Sequence, residues 1–171
     1  GGFAAILFGV LLGADEIHAF NPPTRLRFPD DTSAPDQLAA LVKEKGDDIP
    51  WLDLRGVMRQ HLRPGTKVYL HYSRGESRDK RHAKYLAEFP NVRLFEYPFV
   101  SHHVARFFAE RAMLTPLLEA GAVGDEQQLN VLTRKMVWTA AQEYIPGRTA
   151  WFFGKAFRKV VRMLRAQPNK G

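Results

Sequence analysis

The chain has 171 residues, 45% apolar and 25% charged, with a formal net charge of +7, enough for one domain with a proper core and a small appendage. Cysteine is absent, which excludes disulfides, thiolate metal sites and a cysteine nucleophile and fits a reducing, cytoplasmic setting. The charge is local: residues 148–171 hold seven of the 25 Lys and Arg and no acid, leaving 18 against 18 Asp and Glu in the rest, so the basic balance marks one segment rather than a nucleic-acid-binding surface.

Residues 1–13 (GGFAAILFGVLLG) are apolar on every side, which predicts a fully buried helix that Gly13 stops. The stretch is too short to span a bilayer and has no basic flank of a signal peptide. Its start on two glycines in mid-pattern reads as a fragment, a processed product or an incomplete gene. Residues 16–20 (EIHAF) read as a strand that Asn21-Pro22-Pro23 ends, because proline donates no ladder hydrogen bond. After a loop at 24–34 come a helix from Pro35 to Glu44, a turn at Asp47-Asp48 and a helix from about Leu52 to Leu62. The turn Pro64-Gly65 leads into a strand at 67–72 (KVYLHY), followed by a charged helix from about Ser77 to Glu88. Pro90-Asn91 turns the chain into a strand at 92–97 (VRLFEY). A loop bearing Ser101-His102-His103 precedes a helix from Val104 to Leu118. Residues 125–145 read as a further helix that Pro146-Gly147 breaks, and 149–165 read as a last, amphipathic one.

Strands separated by helices predict a mostly parallel sheet in a three-layer α/β/α arrangement, with extra C-terminal helices. Three strands are few for such a sheet, and its open edge predicts partner strands upstream of Gly1.

Four serines occur, at 33, 73, 77 and 101. Ser33 lies in a polar loop, Ser101 abuts His102, and Ser77 is placed to cap a helix. Ser73 alone follows a strand and precedes a helix, with Gly75 two positions on. Its neighbours Tyr72 and Arg74 are too bulky for the close backbone approach of a nucleophile elbow. Asp79 can serve as a first-turn helix acid, and His102 or His103 as a cap of the next helix. His82 reads as a half-buried packing residue, and His18 and His71, inside strands, as core or hydrogen-bonded groups. No His and acid residues have metal-ligand spacing, so neither metal nor organic cofactor is expected.

The order strand, helix opening with GESRDKRHA, strand, then SHHVARFF resembles the last third of the α/β-hydrolase fold. The opening GGFAAILFG resembles the segment after the elbow G-x-S-x-G. The resemblance covers residues 1–120, with 121–171 as a helical extension, and implies that the N-terminal half lies upstream. It implies a Ser-His-Asp triad for ester, thioester or amide hydrolysis of a small acyl substrate. Asp79 is then the acid, with Glu76 its alternative, and His102 the base, with His103 its alternative. The serine lies upstream of Gly1, Ser73 being the remaining internal candidate. A different class of reading is a non-catalytic α/β module whose basic segment at 149–165 (Trp151, Phe157 and Leu164 among cations) lies on an anionic membrane surface or a protein partner. Such a protein would be peripheral at the membrane.

Overall fold

The computed structural model describes residues 1–25, 44 and 49–144. The expected helix from Pro35 to Glu44, the turn at 47–48 and the basic segment at 149–165 lie, wholly or but for Glu44, outside the described residues. Three strands form one parallel sheet in the order β1-β2-β3: β1 (Glu16–Phe20), β2 (Lys67–Ser73) and β3 (Val92–Tyr97). The helices with described bounds are α1 (Gly2–Leu11), α2 (Leu54–His61, after a 3-10 turn at Pro50–Leu52), α3 (Ser77–Tyr85), α4 (Val104–Ala109), α5 (Leu114–Ala122) and α6 (Glu126–Tyr144).

The period-2 alternation of each strand divides the side chains between two cores. Ile17, Ala19, Val68 and Leu70 face Ile6, Leu7 and Val10 of α1 and Leu54, Val57 and Met58 of α2. Tyr69, Phe95 and Tyr97 face Val104 and Phe108 of α4, Leu117 of α5, and Leu129, Met136 and Val137 of α6. The chain is thus a small α/β fold with helices on both sides of its sheet. The C-terminal helices share one core with the sheet through residues as late as Ala140. Central β2 is buried from Val68 to Ser73, as a strand covered on both faces must be. Each aliphatic side chain so buried contributes about 1.5–3 kcal/mol.

Local chemistry sets the ends of the elements. Gly13 (φ +67°) ends the first helix in the left-handed region, where glycine has no steric penalty. Asp53 opens α2, its side chain accepting from the Arg55 backbone N–H at 2.9 Å. The same carboxylate accepts from the Tyr85 hydroxyl at 2.6 Å, tying α2 to the end of α3. Two expectations need correction. The helix expected over 104–118 is two helices, broken where Ala112 takes φ +53°. The cause is Pro116, whose ring would strike the Ala112 carbonyl and which cannot donate to it. α1 is buried on one side only, with Phe8, Leu11 and Leu12 exposed, because a three-stranded sheet covers a single face of it. Among the described residues no helix is long and apolar enough to cross a membrane.

At Gly2 the first helix packs directly on backbone at the end of the sheet. A Cβ there would lie 2.7 Å from the Phe20 carbonyl oxygen and 2.9 Å from Pro22 Cα. Backbone cannot yield as a side chain can, so Gly2→Ala is expected to cost about 1–3 kcal/mol through overpacking. Gly56 of α2 has nothing within 4 Å of its would-be Cβ, and Gly56→Ala is expected to add about 0.5–1 kcal/mol. Urea unfolding of the two variants checks the opposite signs.

Candidate functional site

In a parallel sheet all strands end on one edge, and the loops leaving that edge bring together residues far apart in sequence. β2 is followed by α3, whose first turn carries Asp79, and β3 by the loop 98–103, which carries His102. The two meet. His102 Nδ1 lies 2.8 Å from Asp79 Oδ1 and 3.0 Å from Oδ2. A carboxylate can only accept, so Nδ1 carries the proton, and the lone pair of the neutral ring is on Nε2. The acid side chain is 3% exposed and the histidine 50%: a buried anion holds one nitrogen of a ring whose other half faces solvent. Among the described residues Nε2 has no hydrogen-bond partner.

The loop bearing His102 is anchored from below. Arg74 N–H donates to the Tyr97 carbonyl at 3.1 Å. The Ser73 hydroxyl donates to the Val100 carbonyl at 2.5 Å. Val100 is buried, and Phe99 beside it takes φ +68°. Ser73 is fully buried as the last residue of β2, with its proton committed to that carbonyl. This arrangement gives Ser73 the role of a loop anchor and none of the exposure of a nucleophile.

The alternatives sit elsewhere. Glu76 is exposed at the N-cap of α3 and its side chain caps nothing, so Ser77 is the first helical residue rather than the cap. His103 is exposed at the N-cap of α4, also without a side-chain cap bond. His82 is fully buried rather than half-buried, and its Nδ1 accepts from the Thr24 backbone N–H at 2.9 Å.

The region contains a residue that the sequence did not single out. Asn21, at the end of β1, donates through Nδ2 to Asp79 Oδ2. The one signal for it was its place at the same edge, just before Pro22-Pro23. The N-terminal end of α1 lies there as well, since Gly2 packs on the Phe20 carbonyl and Pro22.

A second polar cluster lies on the α4–α6 side of the sheet. His18 Nε2 donates to the Glu16 carboxylate, which can only accept. His18 Nδ1 must therefore accept from His71 Nε2–H, 3.0 Å away. His71 Nδ1 in turn accepts from the Tyr97 hydroxyl at 2.9 Å. The Tyr97 oxygen is then left to accept from Thr133 Oγ1 at 3.4 Å. Every proton position follows from the first. His71 is fully buried, with stacked ring neighbours Phe20 at 4.6 Å and Phe95 at 5.1 Å between centroids. Burial holds its pKa well below the ordinary histidine value, and the neighbouring His18 adds to the depression. Burial also lowers His18, although Glu16 opposes it. Tyr97 is pushed far up by burial.

Comparison with known proteins gives no match: no family model, curated protein or solved structure is significantly similar to this chain.

The histidine chain yields a pH dependence whose sign is fixed. The unfolded chain takes up protons near pH 6.5, the ordinary histidine value, whereas folded His71 and His18 resist them. Their stabilisation is therefore complete above about pH 6.5 and falls as the pH drops through the unfolded value. We expect the urea midpoint to be flat above about pH 7 and to decline below about pH 6.5. His71 contributes a limiting slope of about 1.4 kcal/mol per pH unit. In His71→Phe the decline is expected to be shallower.

Proposed function

We propose that Asp79 and His102 are the acid and the base of an α/β-hydrolase-type Ser-His-Asp site that cleaves an ester, thioester or amide bond of a small acyl substrate. The observation that carries this reading is the Asp79–His102 contact, with its buried carboxylate on Nδ1 and an outward Nε2. Only that tautomer can take a proton from a hydroxyl, because the nitrogen facing the nucleophile must have its lone pair free. The parallel order of the strands, with acid and base following successive ones, supports it. So does the packing of the α1 N-terminal end at the same edge, which suits a serine carried just ahead of α1. The exposed Phe8 and Leu11 of α1, with Leu12 at its cap, suit a helix that a larger sheet would cover further. In this reading the chain is the C-terminal part of a larger hydrolase domain.

The chemistry follows from the tautomer. The serine hydroxyl attacks the acyl carbon while His102 Nε2 takes its proton. The resulting imidazolium is stabilised by Asp79, which stays ionised. The proton then passes from Nε2 to the leaving group as the tetrahedral intermediate collapses to an acyl-enzyme. Water attacks that ester with the same histidine as base, releasing the acid and restoring the serine.

The serine is not Ser73 in this scheme, and residues 1–171 are expected neither to react with a fluorophosphonate probe nor to turn over p-nitrophenyl esters. A polypeptide that also carries the residues encoded ahead of Gly1 is expected to do both. In it His102→Ala should lower kcat on the order of a millionfold, and Asp79→Asn about ten-thousandfold through the wrong tautomer. Labelling of residues 1–171 that Ser73→Ala abolishes, or an inert longer polypeptide, would overturn the reading.

A further inference from the structure

β1 ends at a residue that serves two neighbours. Asn21 has φ +46°, a left-handed conformation that asparagine tolerates better than most residues. Its backbone N–H donates to the His71 carbonyl at 2.8 Å, so the turn is pinned to β2 as it leaves the sheet. Pro22 and Pro23 then carry the chain away with no backbone N–H to satisfy. This geometry aims the Asn21 side chain across the sheet edge at α3, where Nδ2 meets Asp79 Oδ2. Three residues later Thr24 meets His82, its N–H on Nδ1 at 2.9 Å and its hydroxyl on the His82 carbonyl at 3.0 Å. Asp79 and His82 are also three residues apart, and so share a face of their helix. The segment 21–24 is therefore a strap laid along the inner face of α3, bonded at both ends.

The strap end at Asn21 bears the mark of a fixed orientation. Asn21 and Asp79 are both buried, and Asn21 Oδ1 is buried with no hydrogen-bond partner among the described residues. Rotating the amide to relieve that oxygen would set it against a carboxylate. The donor stays on Asp79 although the acceptor goes unpaired, which is how a carboxylate with the stronger demand orients its neighbour.

We infer that Asn21 is a positioning residue for the Asp79–His102 pair, an inference that rests on the reading of that pair given above. With the Asn21 amide on Oδ2, the Asp79 carboxylate is held in one rotamer, its edge toward His102 Nδ1 with Oδ1 the nearer oxygen at 2.8 Å and Oδ2 at 3.0 Å. That keeps the proton on Nδ1 and the lone pair on Nε2. Asn21 touches neither a nucleophile nor a substrate. It acts on the base through the acid.

The test is spectroscopic and needs no turnover. Long-range proton–nitrogen spectra of the 15N-labelled 171-residue chain report which ring nitrogen of each neutral histidine carries the proton, with His102→Gln to assign the signals. Wild-type His102 is expected as the Nδ1–H form with a slowly exchanging proton. Asp79→Ala should convert it to the Nε2–H form. Asn21→Gly tolerates the same backbone angle and removes only the amide. It should speed exchange of the Nδ1 proton about tenfold, the scale of one lost hydrogen bond to a charged group, and bring up the Nε2–H form. Asn21→Asp keeps the shape, sets a second carboxylate against Asp79 and should do the same; it carries the test if the glycine variant does not fold. Thr24→Val loosens the other end of the strap and should leave His102 as in wild type. If Asp79→Ala shifts the tautomer and folded Asn21 variants do not, the positioning role is overturned and the acid–base pair stands. If Asp79→Ala shifts nothing, both fall. A shift in Thr24→Val equal to that in Asn21→Gly would replace the specific role with general loosening and overturn the inference.

Discussion

The arrangement at the sheet edge depends on burying one carboxylate. An isolated carboxylate taken out of water costs far more than a small domain can supply, so a buried acid must be surrounded by donors. Asp79 is buried and, among the described residues, receives two, the Asn21 amide and the His102 ring. Each comes from a different strand end, and each is placed by a separate anchor: the Asn21 backbone by the His71 carbonyl, and the His102 loop by Ser73 on the Val100 carbonyl. The demand of a single anion thus ties β1, α3 and the loop after β3 together. The histidine is also left half in solvent with one nitrogen engaged, the state a general base needs. The contacts that hold this edge together are the same ones on which the proposed chemistry would draw.

The opposite solution appears on the α4–α6 side. There, the groups inside the sheet are neutral rings and a carboxylate stands only at the outer end, and the chain from Glu16 through His18 and His71 to Tyr97 satisfies each ring nitrogen once. Gly121 of α5 lacks the Cβ that would collide with Glu16 and His18, so the helix closes directly over the outer end of that chain. His71 lies within the central strand, fully buried between the rings of Phe20 and Phe95. The imidazole joins the register of β1 to that of β3 through directed bonds, and a slip by one residue would break every one of them.

Much of the fold was legible because local periodicity reports it. The strands at 16–20 and 92–97 have the bounds the sequence suggested, and 67–73 differs by one residue, since proline, glycine and asparagine bracket alternating apolar runs. The break at Ala112 was also written in the chain, as Pro116, but it acts on a residue four positions earlier and is masked by the apolar stripe around it. That Asp79 and His102 each follow one of two successive strands was legible from element order. Their meeting at 2.8 Å is a three-dimensional outcome that no local pattern contains. Asn21 and Thr24 lay furthest from view: each bonds a residue 58 positions away, and next to two prolines an asparagine reads as an ordinary turn former. The one-sided burial of α1 was equally hidden, because an all-apolar helix has no polar face to declare which side the sheet will cover.

The proline after Asn21 has a consequence on a much longer timescale than folding. Asparagine side chains age by cyclising: the backbone nitrogen of the next residue attacks the side-chain amide, ammonia leaves, and the ring opens to a carboxylate. In this chain that nitrogen belongs to Pro22, which is a tertiary amide with no hydrogen to lose, so the attack has no nucleophile. The residue whose conversion to an acid would set two carboxylates against each other in a buried site is therefore shielded from spontaneous deamidation by its own neighbour. The same proline that ends β1 thus closes that cyclisation route to the amide beside it.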